Sequence, residues 1–340
     1  MPAPAPLLLV LDGNSLLHRA YHAAAVDGLH DLAGRPVWAL KGLVGYVARA
    51  AAQLRPAALI VGFDCLDASV RKVEYPGYKA HRPQKSADLA EQIAHAPELL
   101  RAAGVCTVVP PGYEADDVLA SSAENARRRG WRSVLMTSDR DAFALIDGGT
   151  SVLRVRNGGF DEAVLIDAAG LVELCGVQAW QYRDYAALRG DPSDNLHGVR
   201  RFGAARAARL LAVFGTVEAA WAAIDNGDLH SVREVVGEQA ALQLAAPGTR
   251  EIVDRNRRLM RMRADLVVPD LGSARLPLRR SVIRAALSDR GIHLGPSLWA
   301  LTGESLPAGT DDPTPELRPW VFRRGLGSPR EATPGQLSLF

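Results

Sequence analysis

Leu7-Leu8-Leu9-Val10-Leu11-Asp12-Gly13-Asn14-Ser15 reads as a short buried strand that stops on a carboxylate. Five apolar residues in a row suit a strand covered on both faces, as in a parallel sheet flanked by helices. The same grammar recurs along the chain. Ala57-Ala58-Leu59-Ile60-Val61-Gly62-Phe63 is a second apolar run and is followed by Asp64. Val105 to Val109 is a third, and Ser133-Val134-Leu135-Met136-Thr137 a fourth, which runs into Ser138-Asp139-Arg140-Asp141. Between them the spacing predicts helices over 16–25, 38–54 and 88–103, the last interrupted by Pro97. Strands alternating with helices give an α/β fold with a mostly parallel sheet, whose ligand crevice lies beyond the carboxyl ends of the strands. Asp12, Asp64, Asp139 and Asp141 are all expected on that rim.

Working outward, Glu114-Ala115-Asp116-Asp117 follows the third strand after a short loop and opens a helical stretch. Acids at a helix start favour the dipole and cap free backbone N–H groups, so taken alone these three are helix caps. A further pair lies in Gly190-Asp191-Pro192-Ser193-Asp194-Asn195. Nine carboxylates are thereby expected together: Asp12, Asp64, Glu114, Asp116, Asp117, Asp139, Asp141, Asp191 and Asp194. Such a gathering persists at neutral pH only if cations or buried protons neutralise it. Hard oxygen donors, without clustered His or Cys, select Mg²⁺ or Mn²⁺ over zinc. More carboxylates than one ion needs point to two ions and to phosphodiester hydrolysis.

The bulk numbers exclude several classes. With 48% hydrophobic and 23% charged residues, the 340-residue chain has the composition of an ordinary globular protein long enough for two domains. No apolar run approaches a membrane span, and the opening residues lack the basic start of a signal peptide, so a cytoplasmic, nucleoid-associated protein is expected. Cys65, Cys106 and Cys175 are scattered and read as small hydrophobes. Residues 1–180 carry 18 Lys and Arg against 20 Asp and Glu, whereas the remainder carries 22 against 18. Lysine occurs only at Lys41, Lys72, Lys79 and Lys85. Arg71-Lys72-Val73-Glu74-Tyr75-Pro76-Gly77-Tyr78-Lys79-Ala80-His81-Arg82 is a basic stretch interleaved with aromatics, suited to the phosphates and bases of a single strand. Beyond about Gln178, Ala/Leu/Arg-rich helical patterns replace strands. The expected organisation is an α/β domain over 1–177, an all-helical domain over 178–301 and a Pro/Gly-rich flexible tail over 302–340.

These motifs closely resemble the flap endonuclease family, in particular the 5′-nuclease domain of bacterial DNA polymerase I and its stand-alone relatives. The resemblance is carried by Leu11-Asp12-Gly13-Asn14-Ser15-Leu16-Leu17-His18-Arg19-Ala20, Phe63-Asp64, Gly112-Tyr113-Glu114-Ala115-Asp116-Asp117, Thr137-Ser138-Asp139-Arg140-Asp141 and Gly190-Asp191-Pro192-Ser193-Asp194-Asn195. It implies a PIN-like sheet with a helical arch over about 66–95, a helix–hairpin–helix domain, and a monomeric 5′→3′ exonuclease that also cuts 5′ flaps of DNA during replication and repair. By the same resemblance Asp12, Asp64, Glu114, Asp116 and Asp117 hold one ion and Asp139, Asp141, Asp191 and Asp194 the other, with Asp116 central to catalysis. Lys79 and Arg82 contact the scissile phosphate, Arg19, Arg71 and Lys72 support the DNA, and Tyr75 or Tyr78 stacks on terminal bases.

The hairpin corresponds to Gly198-Val199-Arg200-Arg201-Phe202-Gly203, with Arg206 and Arg209 supplying positive charge for the duplex. There Arg201 stands where the family has a glycine. If that position takes φ > 0 the arginine is strained, and the potassium ion that the family's hairpin carbonyls hold is in doubt. Gln336-Leu337-Ser338-Leu339-Phe340 resembles the pentapeptide with which bacterial replication proteins dock on a sliding clamp; Gln336, Leu337, Leu339 and Phe340 are its anchors. Two rival readings are a PIN-like metal-dependent ribonuclease, and a clamp-tethered DNA-binding protein without catalysis.

Overall fold

The computed structural model describes residues 4–305 apart from 25–27, 68 and 157–158. The expected clamp-binding residues 336–340 lie outside them. The described chain forms two compact units.

The first unit is built on a six-stranded sheet in the order β3-β2-β1-β4-β5-β6. Its strands are β1 (Leu7–Asp12), β2 (Ala58–Gly62), β3 (Cys106–Val108), β4 (Arg132–Thr137), β5 (Thr150–Arg156) and β6 (Gly159–Ile166). All neighbours are parallel except β5 and β6, which are antiparallel. The continuous apolar runs of β1 and β2 have the expected cause: both faces are covered. Leu9, Leu11, Leu59, Val61 and Met136 join one core with α2 (Trp38–Leu54) and α4 (Ala87–Ala102), while Leu8, Val10, Ile60 and Leu135 are equally buried on the other side of the pleat. Two further helices shape the rim: α1 (Gly13–Ala24) leaves β1 directly, and α5 (Ala115–Arg128) follows β3. Between β2 and α4 lies α3 (Val70–Glu74).

The strand order reverses between β1 and β4, because the chain builds outward from β1 to β2 and β3 and then returns to the other side. That places the topological switch point, the usual ligand crevice of such sheets, at the carboxyl ends of β1 and β4.

The expected helical unit over 178–301 closes earlier, at Arg261. Residues from 262 onward return to the first unit. Leu59 N donates to Ala274 O at 2.9 Å, and Ile283 and Leu287 of the helix Arg280–Ser288 enter the sheet's core. The physical reason is hydrophobic closure: one sheet face needs apolar side chains that the first 170 residues do not supply.

The second unit takes residues 74–82 together with 169–261. It contains α6 (Ala168–Cys175), α7 (Tyr182–Arg189), α8 (Ala204–Phe214), α9 (Val217–Asp225), α10 (Leu229–Val236), α11 (Glu238–Ala245) and α12 (Thr249–Leu259). It is not entirely helical. A two-stranded ribbon, β7 (Gly190–Asp191) with β8 (Leu196–His197), carries the Asp191 to Asn195 turn. Glycine is obligatory in that ribbon, since a Cβ at Gly190 would lie 2.2 Å from Gly198 N, and one at Gly198 would lie 2.2 Å from Arg189 C. Among the described residues no single helix is long and apolar enough to cross a membrane.

Candidate active site

Seven of the nine acids belong to the first unit, at the carboxyl ends of its parallel strands. The Asp-Gly of the opening motif has a packing cause: a Cβ at Gly13 would sit 2.5 Å from the Phe63 ring. Only glycine lets the β1–α1 turn approach the end of β2, and with it Asp12 approach Asp64. Asp12 is 5% exposed. Its Oδ1 accepts from Ser15 N at 2.9 Å and its Oδ2 from Thr137 Oγ1 at 2.9 Å. Burial, then the neighbouring Asp64 carboxylate and, more weakly, Asp139, push its pKa up to about 7 against these bonds.

Asp64 is braced at both ends of the residue. Its N–H donates to Asn14 Oδ1 at 3.0 Å, and its Oδ1 accepts from Ala115 N at 2.9 Å, the first amide of α5. Across the crevice, Asp139 N donates to Thr137 Oγ1 at 3.0 Å, and Asp139 Oδ1 accepts from Asp141 N at 2.9 Å. Ser138 N donates to Ser15 Oγ at 3.0 Å, and Arg19 Nε donates to Ser138 Oγ at 2.9 Å. Thr137, Asn14 and Ser15 therefore hold the acids from β1, β2 and β4 in one lattice. Sequence reading gave these three no role, although they sit inside the acidic motifs.

Glu114 is the N-cap of α5 and, with Asp117 three residues on, forms a capping box, so the helix-cap reading of this stretch holds. Asp117 departs from the expected ligand set. It is fully buried, and each oxygen already accepts two bonds. Arg71 Nη1 and Nη2 reach Oδ2 and Oδ1 at 2.7 Å each. Glu114 N reaches Oδ2 at 3.1 Å and Arg263 N reaches Oδ1 at 2.8 Å. A saturated carboxylate beside its own cation presents no lone pair to a metal. Arg71 is corrected with it: its side chain is 11% exposed and is taken up by Asp117 and Glu114 within the fold. Arg263 carried no signal in the sequence, since it meets Asp117 from 146 residues away. Asp116 lies partly buried on the first turn of the same helix.

The remaining candidates fall in the second unit. Within the basic stretch only Val70–Glu74 is helical, and Pro76-Gly77 turns the chain after it. Residues 74–82 pack on the acidic turn. Lys79 N donates to Asp194 O at 3.0 Å, Asn195 Nδ2 to Gly77 O at 2.8 Å, and Arg82 Nη2 to Asp194 Oδ1 at 2.6 Å. Asp191 Oδ1 accepts from both the N–H and the hydroxyl of Ser193 at 2.7 Å. Base stacking by Tyr78 is excluded, because the ring is 4% exposed and covered by Lys79 Nζ at 4.7 Å from its centroid. Tyr75 is half-buried under the Arg255 guanidinium, 4.9 Å from its centroid. Lys72 is exposed.

In the hairpin, Arg201 does take a left-handed φ of 70°, the strained alternative foreseen for a residue standing in a glycine's place. Val199 N donates to Leu188 O at 2.8 Å and Phe202 N to Val199 O at 3.0 Å, closing the turn. Arg206, an exposed residue, donates Nη1 to Arg201 O at 2.9 Å and Nε to Val236 O at 3.2 Å. Its guanidinium thereby fastens the turn while the residue stays at the surface. Arg209 and Gly203 stay exposed.

The chain matches two consecutive family descriptions, "5′-3′ exonuclease, N-terminal resolvase-like domain" over residues 7–176 and "5′-3′ exonuclease, C-terminal SAM fold" over residues 177–278. It is 35% identical over 254 residues to DNA polymerase I of Mycobacterium tuberculosis, covering 75% of this chain and 27% of that protein. To the thermostable DNA polymerase I of Thermus aquaticus it is 38% identical over 216 residues, covering 64% and 25%. The chain therefore spans about a quarter of the length of these relatives. Among solved structures, the bacteriophage T5 5′-exonuclease with bound divalent zinc ions aligns with a TM-score of 0.59 at 20% identity, over 83% of this chain and 97% of that one. The bacteriophage T5 flap endonuclease complexed with DNA and metal ions aligns at 0.58 and 20%, over 87% and 97%. At that identity these likenesses speak for the fold.

Proposed function

The chain belongs to the 5′-3′ exonuclease family, and on that premise we propose that it is a structure-specific nuclease hydrolysing DNA phosphodiesters at 5′ ends and 5′ flaps. The observation that carries the proposal is Asp12. A buried carboxyl raised to about 7, facing Asp64 and Asp139 at the switch point of a parallel sheet, is only partly ionised at neutral pH, and a bound cation is what would hold it in the carboxylate form. The donors around it are hard oxygens, which fit Mg²⁺ or Mn²⁺.

Asp12, Asp64, Glu114 and Asp116 would hold one ion, and Asp139 and Asp141 offer carboxylates to a second. When bound, such ions acidify an attacking water and offset charge on the scissile phosphate. The chain's own part is orientation. Thr137 and the Ser15 amide fix the Asp12 carboxylate, while Asn14 and the Ser15 hydroxyl fix the backbone at Asp64 and Ser138, so little reorganisation accompanies reaction. Lys79 and Arg82 supply positive charge for the phosphate, and the hairpin, with Arg209, holds duplex backbone. A potassium ion is left out of this reading, since the hairpin carries an arginine, Arg201, in a left-handed backbone conformation (φ 70°) where the family has a glycine.

Removal of 5′ flaps in lagging-strand maturation and repair, in the cytoplasm, is the setting this activity suits. Docking on a sliding clamp through Gln336, Leu337, Leu339 and Phe340 would raise the enzyme's effective concentration there; deleting 336–340 should abolish clamp binding and leave cutting of free DNA unchanged.

The test is incubation with a 5′-flapped duplex, a single-stranded RNA and a blunt duplex, each with Mg²⁺, Mn²⁺ or chelator. Metal-dependent cutting at the flap junction is expected. Cutting of RNA alone, as by a PIN-like ribonuclease, or binding without cutting would overturn the proposal.

A further inference from the structure

The buried pair Arg71–Asp117 does no work in the reading above, yet its carboxylate is fully satisfied within the fold. Asp117 is 0% exposed, and its four acceptor positions are filled by two guanidinium N–H groups and two backbone amides. Each partner comes from a different stretch of chain. Arg71 belongs to α3, Glu114 is the N-cap of α5, and Arg263 belongs to the segment that returns after residue 261. Arg71 Nη1 also lies 3.6 Å from Glu114 Oε2, so one guanidinium faces both the saturated carboxylate and its neighbour in the metal-site set. Val70 N adds a 2.9 Å bond to Gly112 O, tying the start of α3 to the loop that leads into Glu114.

We propose that Arg71 and Asp117 are a positioning pair, not a DNA contact and a metal ligand: they fix the side chain of Glu114 and the first turn of α5, and they anchor α3, the helix that leads in sequence into Lys79 and Arg82. The inference rests on the nuclease reading for the identity of the site it serves. Its chemistry is independent of that reading. An arginine with two bonds to one carboxylate loses little freedom on holding a second at longer range, so Glu114 meets a fixed positive charge. Breaking either partner leaves the other buried and uncompensated, which displaces the α5 end instead of emptying a ligand position.

Two variants separate positioning from ligation, Asp117→Asn and Arg71→Lys, with Asp116→Asn as the ligand control. Bound Mn²⁺ is counted by electron paramagnetic resonance on the full-length chain, and flap cleavage is resolved into kcat and KM. Under the proposal Asp117→Asn keeps the wild-type number of bound Mn²⁺ with Kd within about threefold, whereas Asp116→Asn loses at least one ion or about tenfold in Kd. Both Asp117→Asn and Arg71→Lys lower kcat by about tenfold or more and leave the KM for flapped DNA within about threefold. Loss of an Mn²⁺ ion in Asp117→Asn would return Asp117 to the ligand set and overturn the proposal. A tenfold rise in KM with unchanged kcat in Arg71→Lys would return Arg71 to the DNA surface and overturn it equally. If the wild-type chain cuts no flap, the nuclease reading fails, and the Mn²⁺ count still decides whether Asp117 is a ligand.

Discussion

Asp12 and Asp117 are both buried acids at the carboxyl rim of one sheet, and they live in opposite electrostatic circumstances. Asp117 has Arg71 on both oxygens and two backbone amides besides. Asp12 has one amide, one neutral hydroxyl and two acids for neighbours, and its pKa is raised to about 7. The first has its counter-charge built into the fold. The second lacks one, and that deficiency is what the proposed metal ions would answer. Membership of an acidic motif is therefore not enough to make a ligand; what matters is whether the protein has already neutralised the group.

The largest way to break this contrast is at Asp116. Replacing it by Ala should lower flap cleavage by about 10³-fold or more, since the charge stabilisation of a bound ion is worth several kcal/mol, and should leave flap binding largely intact in a gel-shift assay. Equal loss of binding and cutting would deny Asp116 its catalytic role.

Next is pH. Because the folded protein holds the Asp12 proton more tightly than the unfolded chain does, this group's contribution to stability is fully present below the ordinary carboxylate pKa of 3.8 and is lost as pH rises through about 7. Thermal unfolding in chelator should accordingly show Tm falling between pH 5.5 and 8, by the equivalent of about 2 kcal/mol. Saturating Mn²⁺ should flatten that slope. A Tm that rises over the same range without metal would place Asp12 in a compensated environment.

On the other side of the contrast, Asp117→Ala should destabilise the fold by about 3–5 kcal/mol, read from urea unfolding, because Arg71 is left buried without its partner. Arg82 and Asp194 form the milder version of such a pair, with the Arg82 side chain 48% exposed. Arg82→Ala should cost less than about 1 kcal/mol of stability, while lowering flap cleavage if that guanidinium serves the phosphate. A stability loss as large as that of Asp117→Ala would show the pair to be structural.

The strands β1 to β4 were legible because a doubly covered parallel strand writes itself as an unbroken apolar run, and the acids at their ends followed. The pair β5 and β6 was not read from the sequence. Thr150–Arg156 mixes polar and apolar residues without a continuous apolar run, and Ser133 to Thr137 reads as the last such run. The Asn157-Gly158 dipeptide between the two stretches was the available hairpin signal. The site was legible as a set of acids but not as a circuit. A basic segment read as DNA-facing holds Arg71, which points inward, because sequence gives charge and not direction. Arg263 was invisible, since its contribution is a backbone N–H, which every non-proline residue possesses. Arg201 was the opposite case: a single residue out of pattern foretold the left-handed backbone that the hairpin adopts.

The most direct test compares the Tm of the wild-type chain and Asp12→Asn at pH 7.5, each in chelator and in saturating Mn²⁺. If the rim is a set of carboxylates awaiting cations, Asp12→Asn raises Tm in chelator, because a buried charge facing Asp64 and Asp139 is removed, and loses most of the Mn²⁺-induced increase seen in the wild type. A variant that is less stable than wild type in chelator and keeps the full Mn²⁺ increment would contradict the account.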